Sequence, residues 1–117
     1  MQPRVTDVER VKKQVRKLAA GRVLSGDSAD VCLELAQIEG CQTRIAAGYG
    51  ELSKEPEPIP RDRFIWILDG YAEICTRTGS ETRISQGEST VLHGGDAYRL
   101  VFPTLTLYLM VEPGESA

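Results

Sequence analysis

The stretch RFIWILDGYAEI, residues 63–74, decides the fold class of this chain. Aromatic and β-branched residues dominate on both sides of the dipeptide Asp69-Gly70. Such residues favour strands, and Asp-Gly between two apolar runs is typical of a two-residue turn in a β-hairpin. The stretch therefore predicts strands over 63–68 and 71–77, joined by a hairpin turn at Asp69-Gly70.

Similar short strands are predicted on both sides of this stretch. From residue 22 onward, runs rich in Val, Ile, Leu, Thr and Tyr are separated by turn residues about every 8–12 positions, as in sandwiches and barrels. Thr78-Gly79-Ser80 is a second turn, and the prolines between Leu52 and Pro60 restrict that segment to a loop or a sheet edge. The sequence predicts one all-β barrel, whose further strands are 22–25, 30–38, 42–48, 81–85, 89–92, 97–102 and 105–111.

Residues 6–20 are predicted to form one helix before the barrel. Thr6 or Asp7 can cap its N-terminus and Gly21 ends it. One face is an apolar stripe of Val8, Val11, Val15 and Leu18. The opposite face is basic and consists of Arg10, Lys12, Lys13, Arg16 and Lys17. We expect this face to be solvated on a helix that packs along the barrel or a partner subunit; a basic arm for an anionic partner is the alternative.

The chain is therefore divided into two parts. Residues 1–21 contain the helix and are expected to be a packing or dimerisation arm, and residues 22–117 are expected to form the β-barrel domain. No internal repeat or second-domain linker is visible in the sequence. A length of 117 residues is enough for one domain with its own core.

The composition excludes several classes of partner. The 14 basic and 17 acidic residues give a net charge of −3, so neither nucleic acid nor an anionic membrane is expected. No apolar run is long enough to cross a bilayer, and Met1-Gln2-Pro3-Arg4 does not begin a secretory signal. We therefore expect a cytoplasmic protein. Cys32, Cys41 and Cys75 fit no C-x-x-C spacing and are expected to act as small apolar side chains.

Two glycine-anchored segments resemble the conserved motifs of the cupin family. Residues 63–74 resemble the end of G-x5-H-x-H-x3,4-E-x6-G, with Gly70 as the last glycine. The segment GESTVLHGGDAYRLVF, residues 87–102, resembles G-x5-P-x-G-x2-H-x3-N, with both glycines matched. The resemblance implies the double-stranded β-helix, or jelly-roll barrel, of small RmlC-like cupins. It is greatest to short bacterial cupins, including those similar to ethanolamine-utilisation cupins.

The residues that bind metal in cupins are replaced in this chain. The four ligand positions carry Glu57, Ile59, Arg63 and Tyr98, or Pro56 and Pro58 in place of the first two. A guanidinium stays charged and offers a metal no lone pair. The resemblance therefore implies no bound metal, and no other cofactor is expected. The alternative is a divalent transition metal on a substitute set of Glu51, Glu55, Glu57 and His93.

The alternation of side chains along strands indicates what lines the barrel instead. If Arg63 points inward, so do Ile65 and Ile67. An apolar interior with a few polar groups is typical of a small-molecule site, and an arginine can hold a carboxylate or phosphate with two hydrogen bonds. The predicted ligand-binding residues are Arg63, Tyr98, Glu57, His93 and Ile65.

The polar members of this set also have purely structural alternatives. Arg63 can pair with Asp62 or Glu73 at the rim of the barrel. Tyr98 can place its hydroxyl on a backbone carbonyl, and His93 can be a turn residue.

Three functions follow from these residues. The first is a metal-independent cupin that binds a small organic anion, a carboxylate or a phosphate or sugar-like molecule, as a sensor or accessory metabolic protein. The second is an enzyme similar to sugar epimerases, with His93 as base and Tyr98 as acid. The third is a cyclic-nucleotide-binding domain, although Gly87-Glu88 lacks the arginine that such a phosphate cassette needs. The sequence leaves open whether the protein is an enzyme.

The outward face of residues 63–68 bears on assembly. Trp66 lies there with Phe64 and Leu68, and together they would form an exposed apolar patch. Because the helix or a second subunit would have to cover this patch, the sequence predicts a homodimer.

Overall fold

The computed structural model describes residues 5–38 and 40–113. Residues 1–4 and 114–117, the outer ends of the predicted arm and barrel domain, lie outside that part. The described chain forms one helix and eight strands: α1 Val8–Leu24, β1 Ala29–Ile38, β2 Cys41–Glu51, β3 Glu57–Pro58, β4 Arg63–Asp69, β5 Tyr71–Thr76, β6 Glu81–Ser85, β7 Ser89–Leu92 and β8 Ala97–Pro113. Over the same residues, no helix combines the length and apolarity needed to cross a membrane.

β8 is the central strand, and every pairing it makes is antiparallel. Along one side it pairs with β2 and then β3, from Cys41 opposite Pro113 to Pro58 opposite Ala97. Along the other side it pairs with β4 and then β5. The remaining strands extend these ribbons, with β1 on β2, β7 on β4 and β6 on β5. The sheet curls around an apolar interior, which confirms the predicted all-β jelly-roll barrel with one N-terminal helix.

The turn at Asp69-Gly70 is a corner, and the prediction of a hairpin there is wrong. β4 and β5 do not pair with each other anywhere in the described chain, because both continue along β8. Gly70 has a φ of +96°, and a Cβ atom at this position would lie 2.5 Å from Thr106 Oγ1. The Thr106 side chain in turn accepts a hydrogen bond from the Tyr71 amide at 3.3 Å. An Asp-Gly pair indicates a tight turn, but the distant β8 decides which strands pair.

β8 runs through Pro103 without a break, so the prediction of two separate strands, 97–102 and 105–111, is wrong. In the pairing with β2, Gly48 lies opposite Thr106 and Gly50 lies opposite Phe102. β8 therefore advances four residues while β2 advances two, which is a bulge on β8. A proline is tolerated in a bulge because the extra residues make no ladder hydrogen bonds.

The helix continues past its predicted end. α1 extends to Leu24, so the predicted strand 22–25 does not form. Gly21 lies inside the helix, where a single glycine costs about 1 kcal/mol relative to alanine without ending it. Ser25 is the C-cap, and Asp7, one of the two predicted N-caps, accepts a hydrogen bond from an amide of the first turn.

The helix packs on the outer face of the sheet. Val15 and Ala19 are fully buried and belong to a core on this face, with Ala29, Ile45, Ala47 and Leu107. Val8 and Leu18, from the same predicted stripe, remain exposed. An ion pair of 2.9 Å between Arg16 Nη2 and Asp69 Oδ2 joins the helix to the end of β4.

A second core fills the barrel interior. It includes Ile65 and Ile67, which confirms the predicted inward face of β4. On the outer face, the helix-side core includes Leu68 but leaves Trp66 42% exposed. Side chains of β8 also divide between the two cores. Phe102 and Tyr108 point into the barrel, while Leu107 points toward the helix.

Candidate functional site

A cavity of about 320 Å³ lies on the inner face of the barrel, between the start of β4 and the first half of β8. This volume is at the lower end of the roughly 300–1,000 Å³ typical of small-molecule sites. The proline-containing connection between β2 and β4 forms one wall. Apolar side chains on the lining include Leu52, Ile59, Leu92 and Leu100, and the charged or hydroxyl-bearing ones include Asp30, Glu57, Arg63 and Tyr98.

Arg63 is the cation of the cavity. It is the first residue of β4, and its side chain is 25% exposed. Its Nε lies 3.2 Å from Glu112 Oε1, but the two atoms are not aligned for a hydrogen bond. The alternative pairing with Asp62 or Glu73 does not form; Asp62 instead accepts a hydrogen bond from the amide of a glycine. Neither terminal nitrogen of Arg63 has a hydrogen-bond partner among the described residues.

The Tyr98 ring forms part of the cavity wall, and its hydroxyl contacts the neighbouring turn. The hydroxyl accepts a hydrogen bond from the His93 amide at 3.0 Å. It donates to Asp96 Oδ2 over 3.5 Å, the upper limit for such a bond. The contact to Asp96 is therefore weak. The structural alternative, in which this hydroxyl donates to a backbone carbonyl, is therefore wrong about the acceptor.

Asp30 is a charged lining residue that the sequence analysis missed. Its Oδ1 accepts a hydrogen bond of 3.0 Å from the hydroxyl of Tyr108, a buried residue of β8. Burial raises the pKa of Tyr108 well above its ordinary value, and the charge of Asp30 raises it further. The charge of Arg63 acts in the opposite direction on the same hydroxyl. Asp30 therefore bonds the end of the Tyr108 side chain directly, and Arg63 lines the same cavity as Asp30.

A sequence signal for Asp30 exists in β1. Apolar residues alternate with other side chains from Ala29 to Leu33, and Ala29 faces the helix. Period-two alternation then turns Asp30 toward the interior of the barrel. The partner Tyr108 lies 78 residues away in the sequence, so the contact could not be predicted.

The structure brings together three of the five predicted ligand-binding residues. Arg63, Tyr98 and Glu57 all line the cavity. Ile65 is 2% exposed and lies in the barrel core, outside the cavity lining. His93 is exposed, and it contacts Tyr98 through its backbone amide. The epimerase-like hypothesis needs the imidazole and the Tyr98 hydroxyl at one substrate, but His93 is not among the residues that line this cavity.

The comparisons with known proteins identify the fold. No family model matches the chain, and no curated protein is significantly similar to it. A cupin-2 domain protein from Shewanella frigidimarina matches with a TM-score of 0.67 and 16% identity, over 86% of this chain and 98% of that one. A cupin superfamily protein from Desulfitobacterium hafniense matches with a TM-score of 0.62 and 15% identity, over 74% and 79%. The barrel is a cupin fold.

A further solved structure supports the same fold. The EutQ protein from Clostridium difficile matches with a TM-score of 0.64 and 14% identity, over 74% of this chain and 69% of that one. At such low identity, the likeness establishes the cupin barrel, and the chemistry has to be argued from the residues of this chain.

Of the donors that a transition metal usually takes, the cavity lining offers two carboxylates, Asp30 and Glu57, and no imidazole. Imidazoles and carboxylates are the usual ligands, but the residues here include a guanidinium at Arg63 and a phenol at Tyr98. Over residues 5–38 and 40–113, no three His, Cys, Asp or Glu side chains are grouped to hold a metal ion. Phe102 is buried deeper in the interior and stacks on Tyr108 at 5.3 Å between ring centroids. The residues present therefore do not fit a metal.

Proposed function

We propose that this cupin binds a small organic anion in its barrel cavity without a metal, as a sensor or an accessory protein of metabolism. The anion is a carboxylate, or a phosphate as in a sugar phosphate. One observation carries the proposal: Arg63 lines the cavity, and its terminal nitrogens have no hydrogen-bond partner in the described part of the chain.

The surroundings of Arg63 suit it to this role. A guanidinium with both outer nitrogens available forms two parallel hydrogen bonds to a carboxylate or phosphate. Glu112 lies against the Nε atom and restrains the side chain before a ligand arrives, which lowers the entropic cost of binding. Leu52, Leu92 and Leu100 supply apolar surface for the rest of the ligand.

Isothermal titration calorimetry tests the proposal. The titrants are a series of monocarboxylates from acetate to octanoate, together with glucose 6-phosphate. We expect at least one to bind, and we expect Arg63→Met to weaken its binding about 10-fold to 100-fold, because hydrogen bonds to charged groups contribute about 1.5–3 kcal/mol. Arg61→Met, which removes an exposed arginine outside the cavity lining, is the matched control. Equal binding by Arg63→Met contradicts the proposal, as does failure of both these anions and the corresponding α-amino acids to bind.

Metal analysis tests the metal-independent part separately. Native mass spectrometry and elemental analysis of the purified protein are expected to show no stoichiometric transition metal. One equivalent of manganese, iron, nickel or zinc that survives dialysis would contradict this part of the proposal and direct attention to Glu51, Glu55, Glu57 and His93.

We also propose that the protein is a homodimer. Trp66 and Val91 are exposed on the outer face of the sheet, 42% and 46% respectively, beside the half-buried Phe64. Burying this patch removes apolar surface from water. Light scattering is expected to give the mass of a dimer for the native chain and of a monomer for Trp66→Glu. A cytoplasmic location, and the absence of nucleic-acid or membrane partners, remain expectations from the composition.

A further inference from the structure

We infer that the ligand is zwitterionic, with a carboxylate that binds Arg63 and an ammonium group that binds Asp30 and Glu57, as in an α-amino acid with an apolar side chain. This inference rests on the proposed function and narrows its ligand class. It depends on the cavity as a whole, because the cation and both carboxylates line the same space of about 320 Å³.

The charges of the lining are unequal. Asp30 and Glu57 contribute two carboxylates, and Arg63 contributes the one cation among the lining residues. Outside the lining, Glu112 also lies 3.8 Å from Arg44 Nη1, so the charge of Glu112 is balanced without Arg63. A simple anion would satisfy Arg63 but would add negative charge beside two carboxylates. A ligand that also carries an ammonium group satisfies both signs of charge.

Asp30 is held in position while keeping an oxygen available. Its Oδ1 accepts the hydrogen bond from Tyr108, and its Oδ2 has no hydrogen-bond partner among the described residues. The backbone position is fixed by β1, where Asp30 lies opposite Gly48 of β2. The opposing effects of Asp30 and Arg63 on the pKa of Tyr108 agree with a carboxylate and a guanidinium placed near one hydroxyl.

Glu57 approaches the cavity from a different element. It lies on β3, where it pairs with Tyr98 of β8. Its carboxylate is exposed and makes no ion pair or hydrogen bond in the described part of the chain. The apolar walls then accommodate a hydrocarbon side chain, since Leu52, Ile59 and Leu100 pack against the barrel core.

A matched set of three probes distinguishes the ligand classes. Leucine carries both charged groups, 4-methylpentanoate lacks the ammonium group, and 3-methylbutylamine lacks the carboxylate, while the three share one branched hydrocarbon chain. Calorimetry near neutral pH is expected to show leucine binding at least 10-fold more tightly than either of the others. Arg63→Met should weaken leucine and 4-methylpentanoate together.

Two variants, each of which replaces an acidic residue of the cavity by its amide, test the ammonium subsite. Asp30→Asn and Glu57→Gln are each expected to reduce the preference for leucine over 4-methylpentanoate several-fold, because each removes a negative charge that only leucine uses. Asp27→Asn, an exposed aspartate outside the cavity lining, is the matched control. Glu57→Gln is expected to fold normally, because Glu57 has no partner in the described chain whose loss would destabilise the barrel. A change in its binding can therefore be assigned to the lost charge.

The outcomes separate this inference from the proposed function. If a simple monocarboxylate binds as tightly as leucine and depends on Arg63, the inference is overturned and the anion site stands. A preference for leucine over 4-methylpentanoate that persists in both Asp30→Asn and Glu57→Gln also overturns the inference. If neither the three probes nor the series of anions binds, both the inference and the proposed function fail.

Discussion

The corner around Gly70 packs against Thr106 of β8, and the cavity around Arg63 is lined by the first half of the same strand, but the two regions use polar groups differently. At the corner, the buried Thr106 hydroxyl is bonded to the backbone of Tyr71, and no room remains for a Cβ atom on Gly70. At the cavity, Arg63 and Asp30 each keep polar atoms without a partner in the described chain. The difference indicates that the corner maintains the fold and the cavity is available for binding.

Replacement of Gly70 is expected to have the largest effect on stability. Gly70→Ala combines a positive φ with a clash against Thr106, so the free energy of unfolding should fall by about 2–5 kcal/mol. Gly79→Ala is the control, because Gly79 has a φ of +86° but nothing within 4 Å of the added Cβ. Urea denaturation measures both. Equal losses in the two variants would mean that the corner tolerates a side chain and is not tightly packed.

Tyr108 follows Thr106 by two residues on β8 and bonds Asp30 of the cavity, and its ionisation should make stability depend on pH. Burial, followed by the Asp30 carboxylate, raises the pKa of Tyr108, so the folded protein keeps the phenol neutral when the unfolded chain begins to ionise. The stabilisation is complete below about pH 10 and is lost as the pH rises further. At neutral pH, Tyr108→Phe should have a lower Tm than the native protein. The cause is the lost hydrogen bond to Asp30, which contributes about 0.5–1.5 kcal/mol to the free energy of unfolding. The Tm of the variant should also decline less steeply above pH 10; parallel curves would contradict the prediction.

Removal of the Arg63 side chain is expected to cost little stability. Glu112 retains Arg44 at 3.8 Å, and the ion pair with Arg63 is partly exposed, so Arg63→Met should lower the free energy of unfolding by less than about 1 kcal/mol. Urea denaturation of this variant can be compared directly with that of Gly70→Ala. A similar loss in both would assign Arg63 to the structural framework and remove the distinction between the two regions.

The ion pair beside the corner should contribute least. Arg16 and Asp69 are both about half exposed, so Asp69→Asn is expected to cost about 0.5 kcal/mol or less. Added salt should reduce the difference further, because it screens exposed charges. A loss that persists in 1 M salt (about a 3 Å screening length) would indicate that Asp69 supports the corner through its backbone geometry.

Much of the barrel could be predicted because short-range patterns determine it. The alternation over 63–67 gave the inward face correctly, with Ile65 and Ile67 buried. The turn at Thr78-Gly79-Ser80 joins β5 and β6, which do pair, so that hairpin is confirmed. In both cases the deciding contacts lie within a few residues in the sequence.

Three of the errors arose where distant parts of the chain meet. Asp69-Gly70 has the signature of a hairpin, but β4 and β5 each pair with β8 instead. The break predicted near Pro103 does not occur, because a bulge against β2 accommodates the proline. Asp30 was missed for the same reason, since its role depends on Tyr108. Local patterns carry no information on these pairings.

The position of β8 has a consequence for how the protein folds during synthesis. Cys41 lies opposite Pro113, and Phe64 lies opposite Val111, so the two long ribbons cannot be joined until the ribosome has made nearly all of the described chain. Contacts of such high sequence separation slow folding. Before β8 emerges, β2 and β4 each have an unpaired edge, and a nascent chain in this state is prone to aggregation. Completion of the barrel is therefore a late event, and yield in the cell should depend on chaperones that protect these edges.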